Sequence, residues 1–244
     1  MPESPRPFLT AEWRQVAMLN YAVDAAILAP KVPPGTELDQ FAGKTYVSLV
    51  GFRFLRTRVR GLWIPFHSDF DEVNLRFYVK RAGISPPRRG VVFVREIVPR
   101  YAIAKVAQVV YHEKYIALPM SHQVIEPTSE HGRMQAEYRW RYQGQWNRLH
   151  VECSGRPALA PEGSLDQFIT EHYWGYAAQP DGGCLEYRVA HDPWRIWTAA
   201  QASFQGDPPG LYGPELARCL GAEPNSAFVA EGSAVTIYSG NRIG

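Results

Sequence analysis

"EVNLRFYVKR", residues 72–81, alternates without a break: Val73, Leu75, Phe77 and Val79 on one side, Glu72, Asn74, Arg76 and Tyr78 on the other. Period two marks a strand, because successive side chains leave a pleated chain on opposite faces. Two arrangements satisfy the pattern. In one, the apolar row makes the core and the polar row meets water. In the other, the polar row points into a closed sheet, placing a carboxyl and a guanidinium in an apolar enclosure. There each charge needs a partner, and a carboxyl pKa rises toward neutrality. Glu72 is then a candidate proton carrier, with Asn74 and Arg76 as candidate ligand-binding groups.

The neighbouring segments extend the strand pattern. "KTYVSLVGFRFL" (44–55) and "VVFVREIV" (91–98) are rich in β-branched and aromatic residues, and further strands are expected at 115–125. In "VREIV" Arg95 and Glu96 must point to opposite faces, so one of them is inward or both belong to the surface. "AEYRWRY" and "WNRLHVEC" flank "QGQ" as a hairpin, with Tyr138, Trp140 and Tyr142 on one face and Arg139 and Arg141 on the other. "CLEYRVAHDPWRIWTAAQASF" and "SAFVAEGSAVTIY" supply the last strands. Between them lies a short helix, "PELARCL", with Pro214 at its start and Gly221 at its end.

Three more helices are expected. Thr10 caps one through Trp13, Val16, Ala17 and Leu19, with Glu12 in its first turn. Pro99 opens a second over roughly 100–110, apolar nearly all round and therefore buried. Ser164 and Gln167 form a capping-box pattern for a third, which runs into "TEHYWGYAA" (170–178) with Gly175 as its stop. With strands dominant and turns every ten or so residues, the expectation is one mainly β (α+β) domain over 1–244. Its core is a large antiparallel, closed, barrel-like sheet.

Composition limits the function. The chain has 244 residues, 45% hydrophobic, with net charge +2, short of the basic balance of a nucleic-acid binder. No apolar run reaches membrane-spanning length and "MPESPRPFLT" has no apolar leader core, so neither membrane nor export is expected. Cys153, Cys184 and Cys219 are odd in number and widely spaced, which fits a reducing cytoplasm. The histidines at 67, 112, 122, 131, 150, 172 and 191 show no ligand spacing, and no phosphate loop, dinucleotide fingerprint or nucleophile elbow is present. No metal and no cofactor is expected. A homodimer is the default assembly.

"TEHYWGYAA" concentrates an imidazole and three large aromatics. His172, at a helix end, would be favoured in its protonated form by the dipole, while Tyr173, Trp174 and Tyr176 offer flat walls with polar tips. The segment is either the lid of a small-ligand pocket or aromatic core packing. His191, before "DPW", is a similar case.

Several stretches together resemble a family: "NYAVD" (20–24), "VPPGTELD" (32–39), "YVSLVGFRFLRTRV" (46–59), "IPFHSDFDEVNLRFYV" (64–79), "REIVPR" (95–100), "TEHYWGY" (170–176) and "HDPW" (191–194). They are similar to the YqjF-like proteins, an uncharacterised bacterial family. That family in turn resembles the acetoacetate decarboxylase fold, a strand-rich closed sheet around an apolar cavity. "FDEV" (70–73) and "REI" (95–97) look like the decarboxylase's strand glutamate and its Gly-Arg-Glu segment.

The decarboxylase uses a lysine whose pKa an adjacent cation depresses. The resemblance implies paired lysines about six residues beyond Glu96, where this chain has Ala102 and Ile103. Its five lysines, Lys31, Lys44, Lys80, Lys105 and Lys114, have no lysine neighbour. The expectation is a cytoplasmic protein whose cavity takes a small carboxylate, carbonyl or quinone-like ligand. Glu72 and Glu96 would handle protons, Asn74, Arg76 and Arg95 would bind, and His172, Trp174 and Tyr176 would close the mouth. Two alternatives stand beside it, a non-catalytic interaction protein and a Schiff-base decarboxylase.

Overall fold

In the computed structural model, which describes residues 6–129 and 132–243, both faces of the strand at 72–79 are buried. Val73, Leu75, Phe77 and Val79 are inaccessible on one side, and Glu72, Asn74 and Tyr78 are nearly so on the other. A strand covered twice needs a layer on each side.

The strands are β1 (Pro7–Val23), β2 (Thr36–Leu38), β3 (Thr45–Val59), β4 (Leu62–Trp63), β5 (Phe70–Arg81), β6 (Arg89–Val98), β7 (Tyr115–Ala117), β8 (Met120–Ile125), β9 (Arg133–Tyr142), β10 (Gln145–Ser154), β11 (Ala158–Leu159), β12 (Trp174–Ala178), β13 (Cys184–His191), β14 (Arg195–Gln205), β15 (Ser226–Tyr238) and β16 (Asn241–Ile243). The helices are α1 (Ala25–Leu28), α2 (Tyr101–Tyr111), α3 (Leu165–Thr170), α4 (Pro208–Tyr212) and α5 (Pro214–Leu220).

Strands β13, β12, β6, β5, β3, β1 and β15 are hydrogen-bonded in that order, and β15 pairs back onto β13 through Val189, Ala190 and His191. The sheet therefore closes into a ring. Its pairings are antiparallel except that β12 and β7 each run parallel to β6. From β15 the sheet continues through β14, β10, β9 and β8, which fold over the outside of β1, β3 and β5.

Two cores follow. The inner one includes Phe52, Phe54, Phe70, Tyr187 and Trp194. The outer one holds Val73, Leu75 and Phe77 against Tyr138, Trp140 and Leu149. Burial of one such side chain contributes roughly 1.5–3 kcal/mol. The layers meet closely at Gly51, where a Cβ would lie 2.6 Å from the Tyr138 ring.

The helix expected at 10–19 is instead the middle of β1, which runs beside β3 and β15. Its apolar residues serve both cores, Ala17 and Leu19 outward, Val16 and Met18 inward, so they form a continuous run. A bulge around Gln15, whose φ is 48°, breaks the alternation and leaves a spacing that imitates a helical stripe. The second helix is α2, but it is not buried. Tyr101, Val106, Val109 and Val110 are exposed, because one helix on the rim of a ring has no layer above it.

The β9–β10 hairpin turns at Gln143-Gly144, both with positive φ, as a two-residue turn of matching twist requires. At α3 the Ser164 hydroxyl accepts the Gln167 amide at 3.2 Å. That helix ends at Thr170, so Gly175 is not its stop and lies inside β12. Among the described residues no helix is long and apolar enough to cross a membrane. Residues 1–5, part of the expected leader-free terminus, and His131 lie outside the described residues.

Candidate functional site

The ring encloses a cavity of about 280 Å³. Strand alternation decides what enters it. Glu72, Asn74 and Arg76 line it from β5, so the inward arrangement holds. On β6 the inward residue is Glu96, cross-strand partner of Asn74. Arg95 pairs with Leu75 and shares its outward direction, so it does not line the cavity. From the segment after α2 come Glu113 and Tyr115, and from β13 come Tyr187 and His191.

Apart from His191, the polar groups among these are linked by hydrogen bonds and charge. Glu72 accepts hydrogen bonds from the Asn74 amide and the Tyr115 hydroxyl, each at 2.9 Å. Glu113 accepts the Tyr187 hydroxyl at 2.8 Å. Oε2 of Glu96 is buried without a partner. Burial pushes the Glu72 carboxyl up to about 7, outweighing the Asn74 and Tyr115 bonds and the Arg76 charge. Glu113 is pushed up to about 8 by burial, against the Tyr187 bond. Glu96 rises well above its ordinary value through burial and the nearby Glu113 and Glu72 carboxyls. Neighbouring buried carboxyls do not ionise together, so the group holds protons at neutral pH.

Arg76 is the contrasting charge. It forms no salt bridge among the described residues and its Nε is buried without a partner; its guanidinium meets the Met18 sulfur at 3.9 Å and lies 5.9 Å from the centre of the Tyr78 ring. A guanidinium inside an apolar enclosure, with no salt bridge of its own, has hydrogen-bond donors left for an anion.

His172 lines the cavity between the rings of Tyr78 at 4.6 Å and Phe168 at 5.0 Å. Its Nε2 bonds Asp39 at 3.1 Å, while Nδ1 has no partner. Asp39 also accepts Arg89 Nε at 2.7 Å. The protonated form expected from a helix dipole is corrected here: burial pulls the imidazole down to about 4, outweighing the Asp39 bond. His172 is neutral, and donation from Nε2 leaves Nδ1 as an acceptor.

Trp174 borders the cavity, but its indole packs with the outer core under the Arg88 guanidinium, 4.4 Å away. Tyr176, two residues on and facing the same way, does not line the cavity. Its hydroxyl donates to Arg88 O at 3.0 Å and to Glu186 at 3.1 Å. The inward position between them is Gly175, where a Cβ would lie 2.1 Å from Tyr187.

Another part of the lining is aromatic. Trp13 meets Phe52 and Phe54 edge-on, and His191 stacks on Trp194 at 4.4 Å. Sequence reading missed Trp13, Glu113, Tyr115 and Tyr187. The weak signal for two of them is Glu113 and Tyr115 at spacing two, at the entry to a strand. Ala102 and Ile103 do line the cavity, and among its described lining residues there is no lysine. Among the described residues no His, Cys, Asp or Glu group is arranged to hold a metal ion.

A strand ring with an enclosed cavity is the architecture of the acetoacetate decarboxylase-like proteins. Acetoacetate decarboxylase from Legionella pneumophila superposes with a TM-score of 0.67 at 12% identity, over 100% of this chain and 92% of that one. The enduracididine biosynthesis enzyme MppR complexed with pyruvate gives a TM-score of 0.67 at 16% identity, over 99% and 91%. By sequence, the uncharacterized protein YqjF of Bacillus subtilis (strain 168) is 28% identical over 193 residues, 77% of this chain and 74% of its relative. Residues 10–234 match DUF2071, an uncharacterized conserved protein family, and the chain belongs to it.

Proposed function

We propose that the ring cavity binds a small organic acid or carbonyl compound, with its anionic or polar head at Arg76 and its apolar part against Trp13, Phe52, Phe54 and Trp194. The observation that carries this reading is Arg76, a cation inside the enclosure with no ion-pair partner among the described residues. A keto acid presents both features, and pyruvate is bound by a protein of the same fold.

The carboxyl group favours a second step, proton transfer on the bound molecule. Glu72 titrates near neutrality and serves as acid or base, and protonated Glu96 donates to a developing oxyanion. Such chemistry needs no lysine. The thiols of Cys153, Cys184 and Cys219 are free, which supports a reducing, cytoplasmic location.

The test is a thermal-shift panel of keto acids, carboxylates, ketones and quinones. A ligand at a hundred times its Kd adds about 2.7 kcal/mol, a rise of about 5–10 °C for a chain this size. Carboxylate hits are expected to vanish in Arg76→Met. In D2O, loss of a hit's proton signals beside its carbonyl, slowed in Glu72→Gln, separates turnover from binding. A panel with no hit, or hits indifferent to Arg76→Met, would remove the reading.

A further inference from the structure

Two segments of the cavity lining are themselves open to solvent, and they locate its mouth. Ile64 follows β4, and Val106 lies on α2. Both line the cavity and yet are 42% and 48% exposed. Around them the surface is unusually apolar: Leu62, Trp63 and Phe66 beside Ile64, and Tyr101, Val109 and Val110 on α2. Phe66 is 83% exposed, far beyond what an isolated surface aromatic needs. An apolar surface of this kind is either covered or docked.

Its charge selects the occupant. The stretches "RVRGLWIPFH" (58–67) and "PRYAIAKVAQVVYH" (99–112) contain no Asp or Glu. Arg58, Arg60, Arg100 and Lys105 are exposed and have no carboxylate partner among the described residues. Two copies of this face related by a two-fold axis would bring these cations together, and the two stretches supply no acid to pair them, which opposes a homodimer here. Exposed Trp, Phe, Tyr, Leu and Val flanked by unpaired Arg and Lys match a bilayer interface, where rings sit at headgroup level and cations meet anionic lipid.

We propose that the cavity mouth, built from β4, the turn after it and α2, docks on an anionic lipid surface and opens the cavity toward it. The expectation of no membrane rests on the lack of an apolar run of spanning length. A surface contact needs none. The inference rests on the mouth and does not depend on which head group Arg76 takes.

The experiment is co-sedimentation of the full chain with vesicles of phosphatidylcholine alone and with about 30% phosphatidylserine, at low and high salt, since screening weakens such contacts. Binding is expected to the mixed vesicles, at least about tenfold stronger than to phosphatidylcholine alone and weakened by salt. It should be lost in Phe66→Asp and in Val109→Asp. Both side chains are exposed, so unchanged unfolding temperatures in these variants exclude misfolding as the cause. No sedimentation with the mixed vesicles, equal binding to both kinds, or binding indifferent to both substitutions would overturn the proposal. So would a dimer in light scattering that Phe66→Asp dissociates, because it would assign the face to a second copy.

Discussion

The glutamates of the cavity carry the account's clearest residue-level consequence. Glu72 and Glu113 hold protons up to about pH 7 and 8 when folded, against an ordinary value of 4.5. Their contribution to stability is present in full below about pH 4.5 and is lost as pH rises through those folded values. His172 acts oppositely. Its folded value near 4, against 6.5, makes its contribution present above pH 6.5 and lost as pH falls toward 4. Between pH 6.5 and 8 only the carboxyls are titrating among these groups, so stability should fall.

Glu113→Gln keeps an acceptor for Tyr187 but is neutral at every pH. By urea unfolding its margin over wild type should grow by roughly 3 kcal/mol between pH 5 and pH 8, where the unfolded carboxyl is ionised and the folded one is still protonated. A wild-type stability that stays flat from pH 6.5 to 8 would contradict the assignment.

At the scale of elements, local rules predicted well wherever local rules decide. The β9–β10 turn needs positive φ and contains a glycine, and Ser164 and Gln167 sit at capping spacing. The β5 alternation was plain because the segment has no bulge of its own. β1 was misread because it is covered on both faces and bulged at Gln15, and a continuous apolar run carries no period. Gly175 was read as a helix stop when its role is close approach within β12. Adding a Cβ there meets the Tyr187 ring, whose hydroxyl holds Glu113. Gly175→Ala should therefore cost about 1–3 kcal/mol and lower the melting temperature by several degrees in circular dichroism. An unchanged melting temperature would mean that Tyr187 is not packed against this strand.

At the scale of the whole molecule, what the sequence could not decide was closure. The β13–β15 pairing that completes the ring joins residues 189–191 to 235–237, and no local pattern announces it. Closure is what turns the polar row of β5 inward and makes Glu96, rather than Arg95, the cavity residue. It also explains why Glu113 and Tyr187, 74 positions apart, share a hydrogen bond that neither segment signals alone. Tyr176 is grouped with His172 by proximity in the chain, yet its ring packs in the outer core, while Trp174 borders both the cavity and that core.

The central claim is that Arg76, held inside this ring, receives an anionic ligand. The most direct measurement is a crystal structure grown with the tightest carboxylate of the panel. The account predicts carboxylate density within hydrogen-bond distance of the Arg76 guanidinium, with the ligand's remainder toward Trp13 and Trp194. Density outside the ring, or an Arg76 paired with Glu72 and no ligand in the cavity, would contradict it.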